Sequence, residues 1–197
     1  AAGGFLGGDH DTKRMGYLTL DMRRYAHPLL TLGLPLIGLI AGRLPLPGGA
    51  VYVNRYSLRS KRWDLAVSVA GPLGTLVCLL LSAIPFLVGG PWVFYYTHFP
   101  LWIALGGLVA VQAASLVLNL LPIPPLDGFH ILSYWLSPQA RAQGFALGWT
   151  PLLLVGLVLR QGSPIAQSFW GLVYGIEAAL RLPTGLGGYA MQFLSLR

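Results

Sequence analysis

From Leu65 to Leu126 the chain carries no Asp, Glu, Lys or Arg. Asp127 ends that silence, inside the stretch Asn119-Leu120-Leu121-Pro122-Ile123-Pro124-Pro125-Leu126-Asp127-Gly128. So long an uncharged run leaves few folds open. A carboxylate at its edge is costly, roughly +2.5–3.5 kcal/mol if it sits at the centre of a membrane helix, so its default reading is functional. Pro122, Pro124 and Pro125 remove backbone donors and forbid a regular helix. Gly128 permits a tight turn. The expected product is a stiff, irregular segment that aims one carboxylate.

The rest of the composition agrees. Of 197 residues 55% are hydrophobic and 10% charged, and the mean hydropathy is +0.65. Those values exclude an ordinary soluble domain and predict an all-α polytopic membrane protein. The net charge of +7 gathers near the ends of apolar runs. That pattern suits a lipid bilayer with basic loops on its cytoplasmic side. A nucleic-acid partner is not expected, because no basic stripe interleaved with aromatics occurs. Cys78 is the sole cysteine, which rules out an intramolecular disulfide and a cysteine-built zinc site. It reads as a small residue facing lipid or core.

Residues 66–88, 101–121 and 142–159 are the expected transmembrane helices. Residues 28–42 are short for a span, which needs about 20 residues, and are flanked by basic residues on both sides, so they read as a re-entrant segment or a short span. Tyr17–Leu20 and Ala50–Val53 are β-prone and could pair as a small hairpin or edge sheet. Residues 129–141 read as amphipathic and surface-lying. Ser163-Pro164 reads as an N-cap with proline at the first helical position, opening a short span or interfacial helix over 164–181. The chain begins at Ala1 without Met or a basic leader region, so it reads as part of a longer polypeptide.

Few side chains can carry chemistry. Asp127 can bind a hard or borderline metal, exchange a proton or accept a loop hydrogen bond. Asn119 offers an amide that either ties two helices together or steadies a substrate. His130 follows Asp127 closely and reads either as a site neighbour or as an exposed residue at a helix start. His27 and His98 read as interfacial, His10 as solvated, Asp64 and Glu177 as boundary charges. Three readings stay open on these residues: an enzyme, a non-catalytic binder of membrane peptides, and a small transporter or scaffold with Asp127 in a polar pathway.

The stretch Asn119–Gly128 closely resembles the second signature of the site-2 protease family, the M50 intramembrane zinc metalloproteases. Ala70-Gly71-Pro72-Leu73 is similar to the family's Gly-Pro signature. Gly8-Asp9 through Asp21, His27-Pro28 and Ala50–Asn54 resemble the stretch between the catalytic helices of its compact branch. The resemblance implies a single membrane-embedded peptidase domain over 1–197 and a zinc cofactor with Asp127 as its third ligand. It also implies substrate contacts from Asn119, Pro122, Gly128 and His27, and an edge sheet that receives an unwound substrate. The implied activity is hydrolysis of peptide bonds in membrane-spanning proteins, at a prokaryotic plasma membrane with the site toward the cytoplasm. The chain departs from the pattern in three places. His-Glu-x-x-His is absent and is expected upstream of Ala1, so the chain as given is expected to be inactive. Thr75 stands where the family usually has Asn, and the family's His-x-Asp-Pro turn is reduced to His27-Pro28.

Overall fold

The computed structural model describes residues 60–89, 99–148, 150–158, 163–183 and 185–186. The chain divides into two compact units, Ala1–Gly71 with Ser195–Arg197, and Pro72–Leu194. Six helices are described: α1 (Lys61–Gly89), α2 (Phe99–Asn119), α3 (Asp127–Leu132), α4 (Pro138–Ala146), α5 (Thr150–Val158) and α6 (Pro164–Ala179). Among the described residues there is no strand. The expected pairing of 17–20 with 50–53, the segment 28–42 and residues His10, His27 and His98 lie outside them.

Two helices are long and apolar enough to cross a membrane, Lys61–Gly89 and Pro100–Asn119, each with a hydropathy of 2.1. A core helix of a soluble protein would be mostly covered by its neighbours. Here only 22% of the apolar window of the first and 39% of that of the second are buried. Leu73, Val77, Leu81, Val88 and Leu101 stand exposed, as side chains bathed in hydrocarbon do. Cys78 is exposed as well. The described chain is thus helical and membrane-associated. Pro72 and Pro85 both lie inside α1, which hydrocarbon tolerates where neighbouring groups re-satisfy the freed carbonyls.

Of the first unit the described part is the start of α1. There the Ser68 hydroxyl donates to the Asp64 carbonyl at 2.9 Å, the usual way a serine satisfies itself inside a helix.

In the second unit the core is built where α2 meets α6. Leu79, Ala83 and Phe86 join Val109, Ala113, Leu116 and Val117 of α2 and Phe169 and Val173 of α6. No water is expelled when helices associate in hydrocarbon, so close packing and polar ties must drive the contact. The buried face of α2 accordingly carries five small residues, Gly106, Gly107, Ala110, Ala113 and Ala114, beside Val109, Leu116 and Val117. The Phe86 and Trp102 rings pack edge to face at 5.4 Å, and the Ser82 hydroxyl lies 3.2 Å from Gln112 Oε1. These two contacts run α1 and α2 antiparallel.

α6 opens as its sequence predicts. The Ser163 hydroxyl accepts from the Ala166 N–H at 3.0 Å, with Pro164 at the first helical position. Its other end closes in a Schellman arrangement: Leu182 N–H donates to Glu177 O and Arg181 N–H to Ala178 O, both at 3.0 Å. Arg181 takes the left-handed conformation this requires, φ 57°, a position glycine usually fills. The chain then turns back, burying Leu182 and Leu186 in the core.

The uncharged run 142–159 is not one helix. α4 ends at Ala146, Gly148 adopts a positive φ of 55°, and α5 starts afresh at Thr150-Pro151. A left-handed residue after a helix stops it, and proline in a first turn starts the next. Hydropathy registers neither event. α4 buries no residue, and α5 has nine residues, well short of the roughly 20 a span requires.

Candidate functional site

The candidate site is the turn that joins α2 to α3. α2 loses its helical ladder after Asn119. Leu120 N–H still reaches Leu116 O at 3.1 Å, then Leu121 N–H bonds Leu118 O at 3.1 Å. Through the proline run the chain holds itself by short-range bonds. Ile123 N–H donates to Leu121 O at 2.8 Å and Leu126 N–H to Ile123 O at 2.9 Å. The peptide between Pro124 and Pro125 is cis. Pro122 is exposed, whereas Pro124 is buried beneath the turn. Leu126, in extended conformation with φ −70° and ψ 158°, caps α3, and Asp127 is the first helical residue. The carboxylate that breaks the long uncharged stretch therefore stands, half-buried, at a helix start at the end of the turn that follows a membrane-length helix.

Gly128 has a different job from the one the sequence suggests. It is the second residue of α3, inside the helix and buried, not the pivot of a tight turn. Its Cα faces the end of α2 so closely that a Cβ would collide with the carbonyl oxygens of Leu120 and Leu121, and would lie 2.5 Å from the Leu120 carbonyl carbon. Those obstacles are backbone, which no rotamer change can move. Glycine is thus what lets α3 dock on the end of α2, and docking fixes Asp127 one residue away.

A second contact holds α3 from the other side. The Phe129 ring lies over Gly144 of α4, where a Cβ would come within 3.0 Å of both Phe129 Cε atoms and closer still to Cζ. Phe129 meets Phe145 edge to face at 5.1 Å. His130 stacks on Phe145 at 4.6 Å with 34° between planes, and the Arg141 guanidinium sits 5.7 Å from the same ring. Of the two readings of His130, site neighbour or exposed residue at a helix start, the exposed one does not hold: the ring is half-buried, with its Nδ1 closed off from solvent. It belongs to the α3–α4 contact. The Ser133 hydroxyl donates to His130 O at 2.7 Å and closes α3.

Of the residues expected to bind or catalyse, the fold gathers Asn119, Pro122, Asp127 and Gly128 within one helix end and the turn that follows it. Asn119 is the last residue of α2 and half-buried. Among the described residues no group of three His, Cys, Asp or Glu side chains could hold a metal. Asp127 supplies one oxygen donor of suitable chemistry. Sequence reasoning missed Phe129, Gly144 and Phe145, whose signal, an aromatic after Asp-Gly and a Gly-Phe pair on the next helix, is faint. It also missed Gln112 and Ser115, which share a face with Asn119.

An apolar helix of membrane length that ends in a proline-stiffened turn presenting one carboxylate marks a membrane-associated protein. Comparison with known proteins agrees. The chain is 42% identical over 173 residues to the zinc metalloprotease Rip2 of Mycobacterium tuberculosis, covering 85% of this chain and 62% of that protein. It is 38% identical over 169 residues to Rip2 of Mycolicibacterium smegmatis, again covering 85% and 62%. It is 29% identical over 146 residues to the zinc metalloprotease YwhC of Bacillus subtilis, covering 69% and 61%. All three names assign the protease activity provisionally. No family model and no solved structure matches. These relatives support the resemblance to the site-2 protease family. The chain spans about three fifths of their length.

Proposed function

We propose that this chain forms the substrate-facing and third-ligand part of an intramembrane zinc endopeptidase, which hydrolyses peptide bonds of membrane-spanning proteins near the cytoplasmic face. The observation that carries the reading is the position of Asp127. It starts α3 at the end of the turn that follows a membrane-length helix, and Gly128 is locked against the Leu120 and Leu121 carbonyls just beyond that helix.

Catalytic zinc takes three protein ligands and keeps a position for water. The described residues supply one, Asp127, and the remaining donors must come from outside the described residues. Zinc, when bound, supplies Lewis acidity and a water acidic enough to attack at neutral pH. The residues of this chain do the positioning. Asp127 presents a carboxylate oxygen at fixed depth. The α2–α3 lock and the Phe129–Gly144 contact hold its backbone. Asn119 closes α2 before the same turn, with an amide that can hydrogen-bond an unwound substrate. The aromatic plate of Phe129, His130 and Phe145 keeps α3 on α4.

The test uses the full-length protein in lipid vesicles containing a membrane-spanning substrate. Asp127→Asn keeps the shape of the side chain and removes its charge. It should abolish cleavage and lower the zinc bound per protein while thermal stability stays near that of the parent. Full cleavage by that variant would sink the ligand assignment. Incubation with a chelator should likewise silence the parent protein, and added zinc should restore it.

A further inference from the structure

The outward stripe of α2 changes chemistry halfway along. Leu101, Ala104 and Leu108 lie on one face at helical spacing and are exposed, Leu101 by 63% and Leu108 by 48%. Continued by the same spacing, that stripe reaches Gln112, Ser115 and Asn119, all half-buried. The first half is what a lipid-facing surface requires. The second half is a row of amide, hydroxyl and amide in a helix that otherwise carries none, and it ends at the turn that holds Asp127. Polar side chains at membrane depth are expensive and normally face a partner or a hydrated cavity.

Helix pairing absorbs only one end of the row. Gln112 Oε1 lies 3.2 Å from the Ser82 hydroxyl, which also sits 3.0 Å from Leu79 O. That contact orients the side chain and, among the described residues, leaves the two N–H groups of the Gln112 amide unused. Neither Ser115 nor Asn119 makes a side-chain hydrogen bond with a described residue. By contrast, Ser68, Ser82, Ser133, Ser137, Ser163 and Ser168 each make one.

We propose that Gln112 and Ser115 extend the Asn119 contact into a ladder that binds the main chain of an unwound, extended peptide at membrane depth. The inference rests on the proposed function and deepens it. A peptide must leave its helix before its carbonyl can be attacked, and each backbone group it frees in hydrocarbon costs several kcal/mol unless it finds a partner. The row supplies donors and acceptors in the required place. At 1.5 Å per residue its members span about 10 Å of α2. At about 3.3 Å per residue, an extended chain covers that length with roughly three residues. Main-chain recognition is indifferent to side-chain identity, so the ladder binds the unwound state of a span and not a particular sequence.

The test uses the full-length protein carrying Asp127→Asn, reconstituted in nanodiscs so that binding is read without turnover. The probe is a synthetic lysine-flanked Leu/Ala span of roughly 20 residues with a Gly-Gly pair in its cytoplasmic turn. A second probe replaces one backbone amide beside that pair with an ester, which deletes a main-chain donor. The ester should weaken binding roughly three- to tenfold, the worth of one hydrogen bond. In the Gln112→Leu/Ser115→Ala background the amide probe should itself bind more weakly, and the ester penalty should vanish. An ester penalty that persists undiminished in that background overturns the ladder while leaving the protease reading intact. So does an unchanged affinity for the amide probe, which is the outcome if another segment of the same polypeptide covers the row. A protein that binds neither probe overturns the proposed function and the ladder together. Ser168→Ala serves as a control, because that hydroxyl bonds Pro164 O within α6 and touches no member of the row, so it should leave the ester penalty in place.

Discussion

α2 makes a close approach near each of its ends, and the two are built differently. Toward its start, Gly106 faces the side chain of Leu186, whose Cδ2 would lie 2.5 Å from an added Cβ and whose Cγ 2.7 Å. Beyond its last residue, Gly128 of α3 faces the carbonyls of Leu120 and Leu121. The first obstacle is the tip of a flexible side chain, which can rotate away. The second is main chain, which cannot. The difference teaches where this fold tolerates change: the α2–α6 core has slack that repacking can use, whereas the turn that carries Asp127 has none.

Substitutions at three glycines sharpen that contrast. Gly128→Ala should have the largest effect. It must push α3 off the end of α2, and a displacement near 1 Å of a catalytic group costs on the order of a hundredfold in rate. Cleavage by the full-length protein should fall at least that far. Unfolding in detergent should show a loss of about 1–3 kcal/mol, the usual cost of overpacking. Gly144→Ala comes next. The added methyl meets the tip of the Phe129 ring, which is rigid but hinged at its own Cβ, so the ring and its contact with Phe145 must tilt. Roughly tenfold slower cleavage and about 1 kcal/mol of destabilisation are expected. Gly106→Ala should do least. Leu186 gives way, and alanine regains up to about 1 kcal/mol of helix propensity, so activity should stay within about twofold and stability within about 1 kcal/mol. Equal costs at Gly106 and Gly128, in the same detergent unfolding assay, would break the comparison.

Much of this was legible in the sequence, for reasons that differ from part to part. The spans of α1 and α2 were readable because charge is costly in hydrocarbon, and its absence from Leu65 to Leu126 is therefore a direct physical signal. The Ser163-Pro164 start was readable because capping is local chemistry. Asp127 and Asn119 were readable as site candidates from their setting and from a family signature. The role of Gly128 was not, because its requirement comes from carbonyls that are distant in local geometry until the proline run folds back. The break at Gly148 was hidden by hydropathy, which averages over a single left-handed residue. Its trace was Thr150-Pro151, a helix-start signal within an apolar run. The Phe129, His130 and Phe145 plate joins residues on two short helices, and no periodicity within either one predicts that contact. The polar half of the α2 stripe was present as Gln112 and Ser115, but only the exposure of Leu101 and Leu108 on the same line shows that it faces outward.

The return of the chain after α6 has a consequence for how the molecule opens. Leu182 and Leu186 are core residues that follow the helix end, and Leu186 rests on Gly106. α6 cannot peel from α2 unless this tail leaves first, so the two helices and the tail constitute one cooperative unit. α4, with no buried residue, has little to lose by local opening. Amide hydrogen exchange should therefore separate the molecule into a slow class, α2 with α6 and the tail to Leu186, and a fast class in α4. Asp127 sits on the boundary between them, fixed to the slow class through Gly128 and braced by the fast one through Phe129.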